Sequence, residues 1–222
     1  MKLTRILVAG GVIAVFAFVA YSAALSRKEA AKRIGSARNL QQWGIALNLH
    51  LIDNENQLPE VGTTPIDDTQ KKAWFSALPP YISQTPLPEV PPGSRPRPGV
   101  TSLWIDPATR APKVWDPDVF YFNYAMNQAL QPDPKLRSFR IFEVPSPGNV
   151  VFLVDVDGYS PAATPDKVVF RHGSAKPNTL EATAHVLFCD GHVQSISKAV
   201  LVDDPQTRSA EAANNGPSWF EN

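Results

Sequence analysis

His172, Asp190 and His192 are the residues of this 222-residue chain whose types and spacing point most directly to chemistry. Two imidazoles and one carboxylate make a donor set that suits zinc or non-haem iron, and with water at an open position such a set supports metal-dependent hydrolysis. A structural reading competes with it. Asp190-Gly191 lies between Val186–Cys189 and His192–Ile196, where it reads as the two-residue type I′ turn of a hairpin, because both central positions of that turn need positive φ. His192 then faces solvent at the start of a strand. Cys189 and His192 flank the same turn, so a Cys–His nucleophilic pair is a further possibility, but no third group is placed to orient it. Asp53, Glu55, Asp155 and Asp157 offer oxygen ligands for calcium. Their spacings match no dedicated calcium loop, and a solvated acidic helix end accounts for the first two. No phosphate-cradling glycine loop, Gly-x-Ser-x-Gly elbow or His-Glu-x-x-His helix is present in the sequence. These residues therefore define metal candidates, with no catalytic or cofactor-binding residue to assign.

The elements that must hold these residues follow from composition and periodicity. Lys+Arg and Asp+Glu both total 21, so the formal net charge is zero, without the basic surplus that nucleic-acid binding requires. One cysteine excludes an intramolecular disulfide framework and any multi-cysteine metal site. Ile6 to Leu25 is a run of 20 uncharged residues, long enough at about 1.5 Å per residue to span a bilayer core of roughly 30 Å. The expectation is a retained anchor, placing the protein in the bacterial inner membrane as a single-pass species with its globular domain in the periplasm and membrane lipid as a partner. Cleavage as a signal peptide near Ala24 is the alternative. His50 and Trp43 read as packing residues. Ile34, Ala37, Leu40, Gly44, Leu47 and Leu51 recur at spacings of three and four, one apolar stripe that continues the helix to Asp53.

The rest predicts a β-rich body. Lys71–Leu78 reads as a short helix. Pro79 to Pro98 holds eight prolines and reads as a surface loop. Strands are expected at Ser102–Ile105, Val119–Tyr124, Ser138–Glu143, Val150–Val154, Lys167–Arg171, His185–Cys189 and His192–Ile196. The organisation is then 1–25 as membrane segment, 26–54 as amphipathic continuation, 55–200 as globular domain and 201–222 as a loosely ordered tail. The fold class is α+β, a long N-terminal helix packed on a small antiparallel sheet.

Arg171-His172-Gly173, followed by Val186-Leu187-Phe188-Cys189-Asp190-Gly191-His192-Val193, resembles the signature of the bacterial prepilin-type H-x9-DG proteins, pseudopilin-like proteins of planctomycete and verrucomicrobial type. Ala37–Leu47, Asp53–Pro59, Tyr124–Asn127, Val144–Pro147 and Val151–Asp155 resemble further family segments in the same order, so the likeness spans roughly residues 5 to 197. It implies a pilin-like fold and a structural, non-enzymatic, membrane-anchored role without cofactors, alongside pilin subunits or components of a type II secretion or type IV pilus-like system. The chain departs from the family pattern in three places. Its apolar helix carries no Glu, seventeen residues separate His172 from Asp190, and Asp106 precedes Pro107 where many relatives have Cys. A tethered periplasmic binding module using the Pro79–Pro98 or His172–Asp190 loop, and a metal-dependent hydrolase, are the other classes of function the sequence leaves open.

Overall fold

The computed structural model describes residues 2–110, 116, 118–131, 133, 135–173, 177–198 and 200, with side chains from Ala17 onward. Its first element is one continuous helix, α1 (Lys2–Asp53), of 52 residues. No proline occurs before Pro59 and alanine is frequent, so nothing in the sequence interrupts the hydrogen-bond ladder. The helix closes where Glu55 and Asn56 take positive φ and the Asn54 side chain donates to the His50 carbonyl at 2.8 Å, satisfying one of the terminal carbonyls. Its second half is packed: Ser36, Leu40, Trp43, Leu47 and His50, spaced by three and four, are all buried. The expected stripe holds from Leu40 onward, but Ile34 is exposed, because the globular head begins at Ser36.

The anchor expectation is overturned. The span Ile6–Leu25 starts among residues whose side chains lie outside the described set. Among the described residues no helix is long and apolar enough to cross a membrane. A single-pass inner-membrane placement with a periplasmic domain is therefore not supported.

The sheet has five strands in the order β3-β1-β2-β4-β5: β1 (Phe122–Asn127), β2 (Val151–Gly158), β3 (Ala162–Ala163), β4 (Thr183–Phe188) and β5 (Val193–Ser197). It is mixed rather than antiparallel. β3 follows β2 after a reversal and lands on the outer side of β1, so it runs parallel to β1, while the other three pairings are antiparallel. Val119–Tyr124 and Val150–Val154 shift toward the observed β1 and β2. Three expected strands do not form ladders. Ser102–Ile105 closes on itself as a turn, with the Ile105 amide on the Ser102 carbonyl at 3.3 Å. Arg140 and Val168 each make one isolated bridge, to Gln57 and Val156. Prolines at 107, 145 and 165 flank these segments and limit how far a ladder could extend from them. The expected helix at Lys71–Leu78 contracts to α2 (Trp74–Ala77), and the proline-rich stretch folds as short 3-10 turns. The tail from 201 lies outside the described residues.

β1, β2 and most of β4 are buried on both faces. Trp43 from α1 meets Trp74 and Trp104 edge to face, at ring separations of 5.7 and 4.7 Å, which locks the helix to the loops over the sheet. The β4–β5 hairpin differs from a type I′ turn. The Gly191 amide bonds to the Phe188 carbonyl at 3.0 Å and the Phe188 amide to the His192 carbonyl at 2.9 Å, while Gly191 has φ of +90° and Asp190 is absent from the positive-φ residues. This is a type I turn closed by a left-handed glycine. Gly191 also touches α1: a Cβ on Gly44 would stand 2.6 Å from the Gly191 carbonyl oxygen, and a Cβ on Gly191 would stand 2.5 Å from the Asn48 amide nitrogen. Two glycines thus set how closely helix and hairpin approach.

Candidate functional site

Period-2 alternation decides which strand residues face α1. Leu187 contacts Gly44 of the helix, so Leu187 and His185 of β4 point toward α1. The register Val154↔Val186 places Asp155 opposite His185 on that same face, and Tyr124 pairs with Asp155 from β1. Three polar side chains therefore share a buried surface with the helix. The bridge His172↔Thr183 brings a second imidazole to the start of β4, and the turn after Ile105 brings in Asp106.

The resulting cluster is tightly connected. His172 Nε2 lies 2.9 Å from Asp106 Oδ2 and 3.5 Å from Asp155 Oδ2. The two imidazole rings sit edge to face, 4.4 Å apart. The His185 amide donates to Asp155 Oδ2 at 3.0 Å, and the His185 Nδ1 atom is 4.0 Å from the same oxygen. Ser36 of α1 donates to Asp106 Oδ2 at 2.8 Å, and the Ala108 amide donates to Asp106 Oδ1 at 2.6 Å. Asn39 of α1 donates to the Ile105 carbonyl and to the Tyr124 hydroxyl at 3.1 and 3.3 Å. Arg171 reaches Asp157 at 3.0 Å and the Val156 carbonyl at 2.6 Å, contacts Thr109, and holds its Nε 3.9 Å from Asp106. Asp106, Asp155, His172 and His185 are all at most 4% exposed.

Burial on this scale shifts charge. Desolvation disfavours the His172 imidazolium, but hydrogen bonds to Asp106 and Asp155 outweigh it and hold the ring's pKa up to about 9. Asp106 is held below its ordinary value, the cost of its own burial being overcome by His172 and Arg171. His185 is pushed down by burial, with His172 and Arg33 adding to the effect against Asp155 and Asp106, so it stands neutral beside a charged neighbour. Burial also raises Asp157, against the pull of Arg171. Three buried polar atoms here make no hydrogen bond among the described residues: Asp155 Oδ1, His185 Nδ1 and Arg171 Nε.

The residues flagged in sequence separate into distinct places. His172 and Arg171 belong to the cluster. Asp190 and His192 lie beyond the far end of β4, about 17 Å along a strand rising ~3.3 Å per residue. There they pair with each other, His192 Nδ1 to Asp190 Oδ1 at 2.6 Å, and the His192 ring stacks on Phe188. Cys189 is fully buried, and burial together with Asp190 pushes its thiol up, the opposite of an activated nucleophile; no hydrogen bond joins it to His192 among the described residues. Asp53 and Glu55 line a cleft of about 380 Å³ at the end of α1, whereas Asp155 and Asp157 stand in β2, so the four acidic candidates do not converge. His50 packs edge to face on Tyr81. Sequence reasoning missed His185. Its signal was a histidine inside the apolar strand Ala184–Phe188 on the same parity as Leu187.

No family model, curated protein or solved structure matches this chain, so the likeness to prepilin-type proteins rests on the residues that carry it.

Proposed function

We propose that the protein is a structural, pilin-like subunit, a head carried on a helical stem that packs against the stems of other copies in a type II secretion or type IV pilus-like assembly. One observation carries this reading: α1 continues past the head with a bare apolar seam. Phe18, Tyr21 and Leu25 are 72, 64 and 46% exposed, and their i, i+3, i+7 spacing is the a/d pattern that seats one helix on another. In sequence the same register continues upstream through Ala14, Gly11 and Leu7 without a charge and stops downstream at Lys28. A contiguous apolar stripe of this kind requires a cover, and an equivalent stem supplies a matching one. Arg27, Lys28 and Arg33 at its base mark where packing ends and the head begins.

Crosslinking of the full chain tests this directly, because its only cysteine is buried. Phe18→Cys is expected to give disulfide-linked dimers on mild oxidation, at concentrations where Gln84→Cys on the exposed surface of the head gives none. Phe18→Glu is expected to shift the sedimenting species toward monomer. If Phe18→Cys and Gln84→Cys crosslink equally, or neither does, the stem is not an assembly surface.

A further inference from the structure

The cluster on the α1 face of the sheet carries an inference independent of assembly. We propose that Asp155, His172 and His185 form a structural binding site for a divalent transition ion of the zinc class, with Asp106 as fourth donor.

Geometry is the first argument. One ligand atom from each of Asp155, His172 and His185 lies within 4.8 Å of the others, and Asp106 Oδ2 is 2.9 Å from His172 Nε2. Tetrahedral coordination with bonds of roughly 2.0–2.1 Å sets ligand atoms about 3.3 Å apart, so side-chain rotations that draw the three residues together by up to about 1.5 Å and part His172 from Asp106 by about 0.4 Å close the shell. Two imidazole nitrogens and two carboxylate oxygens suit zinc better than calcium or magnesium, which favour all-oxygen shells.

The unsatisfied atoms are the second and independent argument. Asp155 Oδ1 and His185 Nδ1 are buried without a hydrogen bond among the described residues, on residues 0 and 3% exposed. Buried polar atoms normally have partners because leaving one without costs free energy. Both of these belong to the proposed donor set. The other carboxylate oxygen of Asp155 is already fixed by the His185 amide at 3.0 Å, the kind of outer contact that orients a ligand.

Charge gives the third. Arg171 is paired at 3.0 Å with Asp157, which is exposed, and this leaves the two buried carboxylates of Asp106 and Asp155 to balance a divalent ion. Entry is available through a cavity of about 540 Å³ between α1 and the Arg171–Gly173 segment, which His172 lines. The donors come from the loop after Ile105, β2, the segment before β4 and β4 itself, so a bound ion ties four separate stretches together beneath the stem. That is the arrangement of a staple, with no open position required of it.

The full chain, stripped with a chelator, is titrated with Zn²⁺ and separately with Co²⁺. One equivalent of Zn²⁺ is expected to bind and raise the melting temperature, and Co²⁺ is expected to give the intense visible absorption of tetrahedral coordination. His185→Gln, which keeps the backbone donor to Asp155, is expected to weaken binding at least 100-fold. His192→Gln, in the exposed pair at the other end of β4, is expected to bind as the unaltered chain does. Absence of stoichiometric binding, a weak octahedral Co²⁺ spectrum, or loss in His192→Gln with retention in His185→Gln each overturns the site. Should His185→Gln fail to fold, the Co²⁺ spectra of the unaltered chain and of His192→Gln decide the matter.

Discussion

Two His–Asp pairs sit at opposite ends of β4, and the shorter of them is the weaker. His192 Nδ1 and Asp190 Oδ1 are 2.6 Å apart, with both side chains over 40% exposed. His172 Nε2 and Asp106 Oδ2 are 2.9 Å apart and essentially out of water. At the hairpin, solvent screens the pair and competes for each group, so the contact contributes at most about 1 kcal/mol. In the cluster each charge has been desolvated and depends on its partners, so removing one strands the others. Distance alone does not rank ion pairs; the medium around them does. Asp106→Ala therefore carries the largest expected effect, a loss of roughly 3–5 kcal/mol, since Ser36, His172 and the Ala108 amide all bond to it and Arg171 faces it. Asp190→Ala is expected to cost under about 1 kcal/mol. Urea unfolding of the chelated proteins measures both, and equal losses would break the comparison.

The same contrast between the two ends runs along α1. Near the cluster, a Cβ on Gly35 would meet only the Pro107 side chain, at 3.0 Å, whereas a Cβ on Gly44 would run into backbone, the Gly191 carbonyl at 2.6 Å. A ring carbon can yield by a few tenths of an ångström, but a carbonyl fixed in a hairpin cannot without moving the turn. Gly44→Ala is thus expected to cost about 1–3 kcal/mol by overpacking, despite alanine's better helix propensity. Gly35→Ala is expected to be neutral or to gain up to about 1 kcal/mol from that propensity. Thermal melts of the two variants compare the ends of the helix in one experiment; a larger loss at Gly35 would reverse the account of how helix and hairpin dock.

The sequence made the helix and the β4–β5 hairpin legible because each signal is local. The spacing of Leu40, Leu47 and Leu51 needs no distant partner, and neither does Asp-Gly between two apolar runs. What it concealed is set by register. Nothing near His185 announces Asp155, thirty residues earlier, and the pairing appears only once β2 and β4 align. Asp106 read as a departure from a family pattern, and its role emerges only when Ser36 of α1 and His172 arrive from 70 and 66 residues away. The type I′ turn failed for a related reason. Asp-Gly is compatible with several hairpin loops, and the approach of Gly44 and Asn48 to Gly191, a tertiary contact, accompanies the one adopted. Ser102–Ile105 had the composition of a strand but folds back on itself, the Ile105 amide bonding to the Ser102 carbonyl.

A third pair, this one exposed, asks whether good geometry can stand in for burial. Arg137 grips Glu143 with two nitrogens, at 2.8 and 2.7 Å, and the Arg140 amide adds a third bond at 2.7 Å. This arrangement, Arg137 contributing most, holds the Glu143 carboxyl down to about 2 against an ordinary value of 4.5. A carboxyl depressed in the folded state stabilises the fold above its unfolded value and loses that contribution as pH falls through its folded value. The stability difference between the unaltered chain and Glu143→Gln is therefore expected to be constant above pH 4.5 and to close between pH 4.5 and 2. Its size should be the smallest of the three effects, because water surrounds the pair and salt screens it. Observing the Glu143 carboxyl by NMR through an acid titration reads the midpoint directly, and Arg137→Ala should move it back toward 4.5. A midpoint already near 4.5 in the unaltered chain would show that even a bidentate contact yields to solvent when it is exposed.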